Sequence, residues 1–212
     1  AMFDVIAPRY DAVNRVMTFR MDVGWRRRTV ATLGLPPGSV VVDLACGTGD
    51  LARELSRRGI TAVGADLSFG MLSAAPEPFS RLHADGSAMP VRDASVDGLT
   101  CGFALRNFTD LAATLAESAR IVRSGGRIAL LEVSEPPNPV MRFGHGIYFG
   151  KVVPKIGGLL SDADAYRYLP RSVAYLPPAD ELLSMIQAAG FTHVRRTLLS
   201  GGIAQLITAT RA

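Results

Sequence analysis

The feature that most constrains the fold is the segment of residues 40–50, which reads VVVDLACGTGD. Its first three residues are β-branched, which favours a short buried strand, and Asp43 follows them directly. A Gly-x-Gly turn comes next at Gly47 and Gly49, and residues 51–55 begin a helix. Glycines let a backbone turn tightly and approach a ligand closely, while the start of a helix presents unpaired N–H groups. The segment therefore predicts a strand–turn–helix unit with a ligand at the turn.

A second carboxylate supports a ligand at this place. Asp66 ends the next predicted strand, residues 61–66, and follows Gly47 by 19 residues. A carboxylate at the end of that strand can hold the two hydroxyls of a ribose, although a strand-end acid can also lie on the surface without a ligand. We therefore expect a cofactor that contains adenosine.

The residues leave two cofactor classes open, and a turn without a ligand is the third interpretation. Residues 47–52 fit the dinucleotide fingerprint G-x-G-x-x-G/A of NAD and flavin proteins, which alone is a weak signal. Asp43 favours a different class, because a carboxylate pointing into the pocket repels a pyrophosphate and suits the ammonium of a methionyl group. S-adenosylmethionine is therefore the expected cofactor.

Composition limits the class of protein. A chain of 212 residues with 48% apolar and 20% charged residues is typical of one globular α/β domain. The net charge of +4 is spread along the chain, and no basic run is joined to aromatic residues, so nucleic-acid binding is not favoured. The one short run, Arg26-Arg27-Arg28, is predicted to be a solvated helix face.

Cysteine and histidine usage points to neither disulfides nor a metal. Cys46 and Cys101 form no CxxC motif, which fits a reducing cytoplasm. His83, His145 and His193 are dispersed without metal-ligand spacing. No secretory leader and no run of 18 apolar residues is present, so we expect a cytoplasmic protein without a spanning helix.

Strands alternate with helices along the chain, which predicts a Rossmann-like α/β fold with a parallel sheet. Strands are expected at 40–45, 61–66, 81–84, 96–101, 127–133, 193–199 and 203–211, and helices at 49–58, 68–75, 110–122 and 178–189. Ser200-Gly201-Gly202 predicts a closing antiparallel hairpin, which fits the seven-stranded sheet of class I methyltransferases and not a doubly wound dinucleotide domain. We expect a single domain over 1–212, with a helical cap at 1–34 and an apolar helical insert at 134–177 above the active site.

Five segments carry a resemblance to a known family. Residues 43–49 (DLACGTG) look like the first motif of class I methyltransferases that use S-adenosylmethionine. Residues 3–14 (FDVIAPRYDAVN), 103–109 (FALRNFT), 120–127 (RIVRSGGR) and 164–172 (DAYRYLPRS) resemble motifs of the quinone C-methyltransferases of ubiquinone and menaquinone biosynthesis, the demethylmenaquinone methyltransferase-like proteins. The resemblance covers almost the whole chain, and the LRN and YRYL segments are its most specific parts.

The chain departs from the family pattern at several positions. The family usually ends with G-G-I-V-A-L-H, and Ile207 stands at the histidine. A serine common before the F-G-L-R-N motif is Gly102 here, and the phenylalanine of the family's L-E-F-S is Val133. These departures leave the acceptor open to another phenolic compound.

The resemblance implies a set of cofactor residues. Asp66 takes the ribose hydroxyls, and Asp85 and the Gly86 N–H recognise adenine, although Asp-Gly also favours a plain turn. The full set is Asp43, Gly47, Thr48, Gly49, Asp66, Asp85, Gly86 and Gly102.

It also implies an acceptor side. Arg106 and Asn107 are expected to act on the acceptor, with Arg106 as a stabiliser of negative charge because arginine stays protonated. The alternative is that Arg106 forms an ion pair and Asn107 caps the next helix. Tyr10 is expected to hydrogen-bond the acceptor oxygen or to pack in the N-terminal helix. The predicted pocket residues are Tyr166, Arg167 and Tyr168, for which aromatic packing is the alternative.

These expectations define an enzyme that methylates a ring carbon of a quinol, with demethylmenaquinol as the favoured acceptor. A methyltransferase for another phenolic or natural-product acceptor is the alternative, and an NAD-dependent oxidoreductase or a cofactor-binding protein without catalysis is less favoured. Residues 141–160 combine apolar side chains with a few cations, which predicts peripheral membrane contact. The competing interpretations are a lid or a homodimer contact.

Overall fold

A computed structural model of the chain describes residues 15–76, 79–153 and 172–212. The described residues contain one seven-stranded sheet in the order β3-β2-β1-β4-β5-β7-β6. The strands are β1 (Val40–Leu44), β2 (Thr61–Asp66), β3 (Ser80–His83), β4 (Val96–Gly102), β5 (Val122–Val133), β6 (Phe191–Leu199) and β7 (Ala204–Arg211). β1 to β5 pair in parallel, and β7 is antiparallel to both β5 and β6. The predicted sheet and its closing antiparallel hairpin are confirmed.

Helices cover both faces of this sheet. The α-helices of the described residues are α1 (Met21–Leu33), α2 (Asp50–Ser56), α3 (Phe69–Ser73), α4 (Leu111–Ile121), α5 (Pro139–Ile147) and α6 (Ala179–Ala188). Short 3₁₀ turns occur at Leu105–Asn107, Val173–Tyr175 and Ser200–Gly202. No helix within the described ranges is long and apolar enough to cross a membrane.

The β-branched run of β1 explains why the sheet has two apolar faces. Val41 and Val42 are both buried, and they belong to different core clusters because successive side chains of a strand point to opposite faces. The cluster of Val41 includes residues of α1 and α2, such as Leu33 and Leu55. The cluster of Val42 includes residues of α4 and α6, such as Leu115. Ile207, which stands at the family's histidine, is fully buried in the second cluster.

β5 begins at Val122 and not at residue 127 as predicted, and it includes residues 124–126 (SGG), a sequence typical of a turn. The chain pairs with β4 at Val122, directly after α4, and the register then jumps so that Gly98 pairs with Arg127. Gly125 has a φ of 74°, which glycine adopts without strain. The turn residues are therefore an irregularity inside the strand.

The insert predicted at 134–177 is described in part. Its first helix, α5, begins at an Asn138 cap whose side-chain oxygen accepts hydrogen bonds from the backbone N–H groups of Val140 and Met141. The helix continues into a π-helical turn at Tyr148–Val152. The division of the chain into cap, sheet domain and insert stays a prediction.

Candidate active site

A cavity of about 480 Å³ lies at the carboxyl ends of β1, β2 and β4. Seven of the eight predicted cofactor residues line it, namely Asp43, Gly47, Thr48, Asp66, Asp85, Gly86 and Gly102. We refer to it as the cofactor cavity. The eighth, Gly49, is not among the residues that line it. Gly49 caps α2 with a φ of 88°, and a Cβ on it would lie 2.3 Å from the Phe79 ring, so its role is to form the turn.

Gly47 forms the open side of the glycine turn. Its φ is 55°, and no atom lies within 4 Å of the position that a Cβ would take. Its backbone N–H donates a 2.7 Å hydrogen bond to Oδ2 of Asp66. The turn therefore presents bare backbone to the cavity and is tied to the end of β2.

Asp66 is held at both oxygens. Besides the bond from Gly47, its Oδ1 accepts a 2.8 Å hydrogen bond from the backbone N–H of Ser68. Each carboxylate oxygen thus accepts a backbone hydrogen bond, which fixes the group at the end of β2.

Asp43 is a buried carboxylate held by two neutral donors. Its Oδ1 accepts from the Thr100 hydroxyl at 2.9 Å, and its Oδ2 accepts from the Ala52 backbone N–H at 3.1 Å. Burial raises the pKa of Asp43 to about 7, although these two bonds and the more distant charge of Arg26 oppose the shift. A cation bound in the cavity would stabilise the ionised form, so the site suits an ammonium group.

Asp85 and Gly86 close the far side of the cavity. Oδ1 of the exposed Asp85 accepts two 2.8 Å bonds from Ser87, one from the backbone N–H and one from the hydroxyl. The bond from the Ser87 N–H is the main reason that the pKa of Asp85 is lowered. A Cβ on Gly86 would lie 3.0 Å from Leu44, so the glycine permits close packing there.

Gly102 also lies where there is too little space for a side chain. A Cβ at this position would lie 2.8 Å from Cδ1 of Leu51 on α2. The serine that the family commonly has here would require Leu51 to move. The glycine therefore fits this chain's own packing of α2 against β4.

A second cavity of about 310 Å³ adjoins the first. Its walls are mainly apolar and include Met17, Phe19, Trp25, Phe103, Met141, Tyr148, Phe149 and Ile203. We refer to it as the acceptor cavity. Arg26 and Phe103 line both cavities, so they form the wall between them.

Arg106 lies in the wall of the acceptor cavity and is almost fully buried. Its Nη1 donates to Oε1 of Glu132 at 2.5 Å and to the Phe103 carbonyl at 2.7 Å, and its Nε donates to the Ser172 hydroxyl at 3.0 Å. Glu132 has no exposed surface. The ion pair that was the alternative interpretation is thus present, and Nη2 has no hydrogen-bond partner among the described residues.

Asn107 lies in the wall of the other cavity, that of the cofactor, and not beside Arg106 in the acceptor cavity. The alternative role as a helix cap is wrong, because Asp110 caps α4 through a 2.8 Å bond from the Ala113 N–H. The predicted acceptor residues Tyr10, Tyr166, Arg167 and Tyr168 lie outside the described residues.

Sequence reasoning missed Arg26. Arg27 and Arg28 are exposed as predicted, but the Arg26 side chain is only 13% exposed. Its Nη1 pairs with Asp22, its Nη2 lies 3.4 Å from Oδ2 of Asp50, and its guanidinium lies 5.4 Å from the centre of the Phe103 ring. The signal was helical spacing, because position 26 is four residues after Asp22 and four before the buried Val30, on the inner face of α1.

The fold and the two cavities define a class I methyltransferase that uses S-adenosylmethionine. A solved S-adenosylmethionine-dependent methyltransferase from Thermotoga maritima shares the fold, with a TM-score of 0.69, 19% identity and full coverage of both chains. Residues 1–211 match the ubiE/COQ5 methyltransferase family, and the chain belongs to that family.

Two curated relatives show how close the similarity is. A demethylmenaquinone methyltransferase of Roseiflexus castenholzii is 40% identical, over 98% of this chain and 90% of the relative. A ubiquinone/menaquinone biosynthesis C-methyltransferase of Syntrophotalea carbinolica is 39% identical, over 100% of this chain and 93% of the relative. The resemblance to quinone C-methyltransferases is confirmed.

Proposed function

We propose that this methyltransferase acts on a ring carbon of a reduced quinol, and that its acceptor is demethylmenaquinol, a naphthoquinol with a polyprenyl tail. The observation that carries the proposal is the apolar acceptor cavity, which shares the wall of Arg26 and Phe103 with the cofactor cavity. An aromatic acceptor there would lie next to the cofactor and against apolar side chains. The names of the two curated relatives support the same acceptor class.

The cofactor cavity fits S-adenosylmethionine. A side chain at Gly47 would project into the open cavity, and the buried Asp43 carboxylate lacks a cation in direct contact among its described partners. Asp43 would hold the ammonium, Asp66 the ribose hydroxyls, and Asp85 with Gly86 the adenine. When bound, the cofactor supplies a methyl group already activated by a sulfonium.

Arg106 supplies the charge that the acceptor needs. A ring carbon becomes nucleophilic when the neighbouring phenol loses its proton to a water molecule, and negative charge then develops on the phenolic oxygen. After the methyl group has been transferred, the displaced ring hydrogen also leaves to water as a proton. The guanidinium stays protonated at neutral pH, so it stabilises that oxygen and does not remove the proton. Glu132 and Ser172 occupy Nη1 and Nε, which leaves Nη2 for the acceptor.

Aromatic side chains form much of the wall around the acceptor cavity. Trp25 lies with its ring centre 6.2 Å from that of Phe103, and Tyr148 lies 5.6 Å from Phe19 by the same measure. These apolar surroundings strengthen the interaction between the buried Arg106 and a developing oxyanion, because the local dielectric constant is lower than in water.

The outer side of α5 supports contact with a membrane. Met141, Gly144 and His145 line the acceptor cavity, while the opposite stripe is exposed. That stripe consists of Val140, Phe143 and Ile147, which are 80%, 72% and 43% exposed. We name it the α5 stripe. One helix thus separates the cavity from an apolar surface, which suits an acceptor whose tail lies in a bilayer.

The experiment is an acceptor screen with purified protein and S-adenosylmethionine. Reduced naphthoquinols and benzoquinols, with and without prenyl tails, are offered, and products are identified by mass spectrometry. Loss of the ring C–H signal from the proton NMR spectrum shows that the methyl group is bound to carbon. We expect turnover on tailed naphthoquinols and a new carbon-bound methyl. Turnover confined to a phenol that is not a quinol, or methylation at oxygen, would overturn the proposal.

A further inference from the structure

Arg26 is the one cation among the described residues that line the cofactor cavity. The carboxylates of the same wall are Asp43, Asp50, Asp66, Asp85 and Asp110. A single arginine among so many acids is a specific place for an anionic group of a ligand.

The contacts of Arg26 leave it able to bind such a group. Asp50 pairs with Arg15 at 3.1 Å and also with Arg53, so its 3.4 Å contact with Nη2 of Arg26 is its longest. Asp22 takes one N–H from Nη1 and is also held by the Thr18 hydroxyl at 2.7 Å. The Nε of Arg26 has no hydrogen-bond partner in the part of the chain that the structure describes.

Asp43 determines which anionic group would lie nearby. In an α-amino acid the ammonium and the carboxylate are attached to the same carbon atom. A ligand whose ammonium binds Asp43 therefore places its carboxylate within a few ångströms of that site. Arg26 is close enough for its charge to act on Asp43.

We infer that Arg26 binds the α-carboxylate of the methionyl end of the cofactor, which makes the cavity selective for the zwitterion. This inference rests on the S-adenosylmethionine assignment of the proposed function. Asp43 and Arg26 together then fix both charges of that end. Because Arg26 also lines the acceptor cavity, this pair orients the cofactor toward the wall that the two cavities share.

The test compares two ligands by calorimetry, so it does not depend on turnover. S-adenosylhomocysteine carries the carboxylate, and its decarboxylated analogue keeps the amine, the ribose and the adenine. Wild-type protein should bind S-adenosylhomocysteine at least about tenfold more tightly than the analogue. Arg26→Gln should remove most of this preference and leave the affinity for the analogue within about twofold.

Two further variants test whether a loss of preference in Arg26→Gln is caused by misfolding. Arg26→Lys keeps a positive charge beside Asp22, and it should lose part of the preference because lysine cannot form the same paired hydrogen bonds. Arg27→Gln changes the exposed neighbour on the same helix and should bind both ligands like wild type.

The outcomes separate the two levels of inference. If wild-type protein binds neither ligand, the cofactor assignment fails. If wild type binds both ligands equally, or if the Arg26 variants weaken both to the same extent, the cofactor assignment stands and the role of Arg26 is overturned.

Discussion

The Thr100 hydroxyl on β4 donates a 2.9 Å hydrogen bond to the Asp43 carboxylate on the neighbouring strand β1. Thr100 has no exposed surface and Asp43 has almost none. The pair places an ionisable group in the core at the floor of the cofactor cavity. Since its pKa is raised to about 7, Asp43 changes charge within the physiological pH range.

We predict that cofactor affinity increases with pH through this range. The ionised form of Asp43 binds the ligand ammonium, so S-adenosylhomocysteine should bind more tightly at pH 8 than at pH 6. Near pH 7 roughly half of the Asp43 carboxyls are protonated, so binding should release protons into the buffer. Calorimetry in buffers with different ionisation enthalpies measures both effects. Asp43→Asn should bind weakly and with little pH dependence; an equally steep profile in that variant would assign the titration to another group.

Asp43 should also reduce stability at high pH in the ligand-free protein. Its pKa is higher in the folded chain than in the unfolded chain, so the folded state binds more protons between about pH 4 and pH 7 and loses stability as pH rises through that window. Asp43→Asn should therefore unfold at a higher temperature than wild type at pH 8, with a smaller difference at pH 5, as followed by circular dichroism.

Asp85→Asn is the matched control for this stability effect. The pKa of Asp85 is lowered by its hydrogen bonds from Ser87, so its effect on stability is opposite to that of Asp43. Its ionised form contributes stability that is present above the unfolded pKa and is lost as pH falls through the lowered value. Asp85→Asn should give no stabilisation at pH 8. A gain like that of Asp43→Asn would argue against burial as the cause.

Asp66→Ala should weaken cofactor binding by about 1.5–3 kcal/mol, because a charge-assisted hydrogen-bond acceptor is lost at the ribose. Asp85→Ala should have a smaller effect, measured as weaker discrimination between adenosine and inosine analogues. Asp93→Ala removes an exposed partner of Arg120 and should leave the affinity unchanged. Equal affinity of Asp66→Ala and wild type would contradict the ribose assignment.

Glu132→Gln should lower kcat roughly ten- to a hundredfold with little change in the affinity for S-adenosylhomocysteine. The Glu132 carboxylate now accepts hydrogen bonds from Nη1 of Arg106 and from the Val133 backbone N–H. The NH₂ group of a glutamine would place further donors against these two groups, and Arg106 would lose its fixed position. The matched control is Glu117→Gln, which alters an ion pair with Arg120 away from both cavities. A similar fall in kcat in both variants would mean that general destabilisation, and not Arg106, is responsible.

Phe143→Asp should reduce co-sedimentation with anionic vesicles while cofactor affinity stays unchanged, because it places a charge in the α5 stripe. Phe69→Asp is the control, since Phe69 is exposed to a similar degree, 67% against 72%, on another helix. If wild-type protein ignores vesicles and Phe143→Asp instead changes the molar mass in solution, the stripe is a contact between two copies of the chain.

The fold was predictable because its signals are local. The β-branched run before Asp43, the glycine turn and the alternation of strands and helices each act over a few residues. The boundaries of β2 were predicted to the residue. The start of β5 was not, because the irregular pairing at Gly98 depends on β4 and not on the strand's own residues.

The site was predictable where strand ends defined it, and less so elsewhere. Parallel strands bring their carboxyl ends together, so Asp43 and Asp66 could be placed in one cavity from their positions alone. Arg26 could not, because its role depends on how α1 packs against the sheet. Arg106 and Asn107 are neighbours in sequence but line different cavities, since a 3₁₀ turn directs consecutive side chains apart.

The position of β7 has a consequence for how the chain is made. β7 is the last described strand along the chain, yet it lies between β5 and β6, and β6 pairs with no other described strand. A ribosome synthesises β7 after β5 and β6, so until then β5 keeps an open edge with apolar residues such as Leu130 beside it. A nascent chain stopped before Ala204 would carry β6 with nothing to join it to the sheet, and its exposed β5 edge would be a target for chaperones or aggregation.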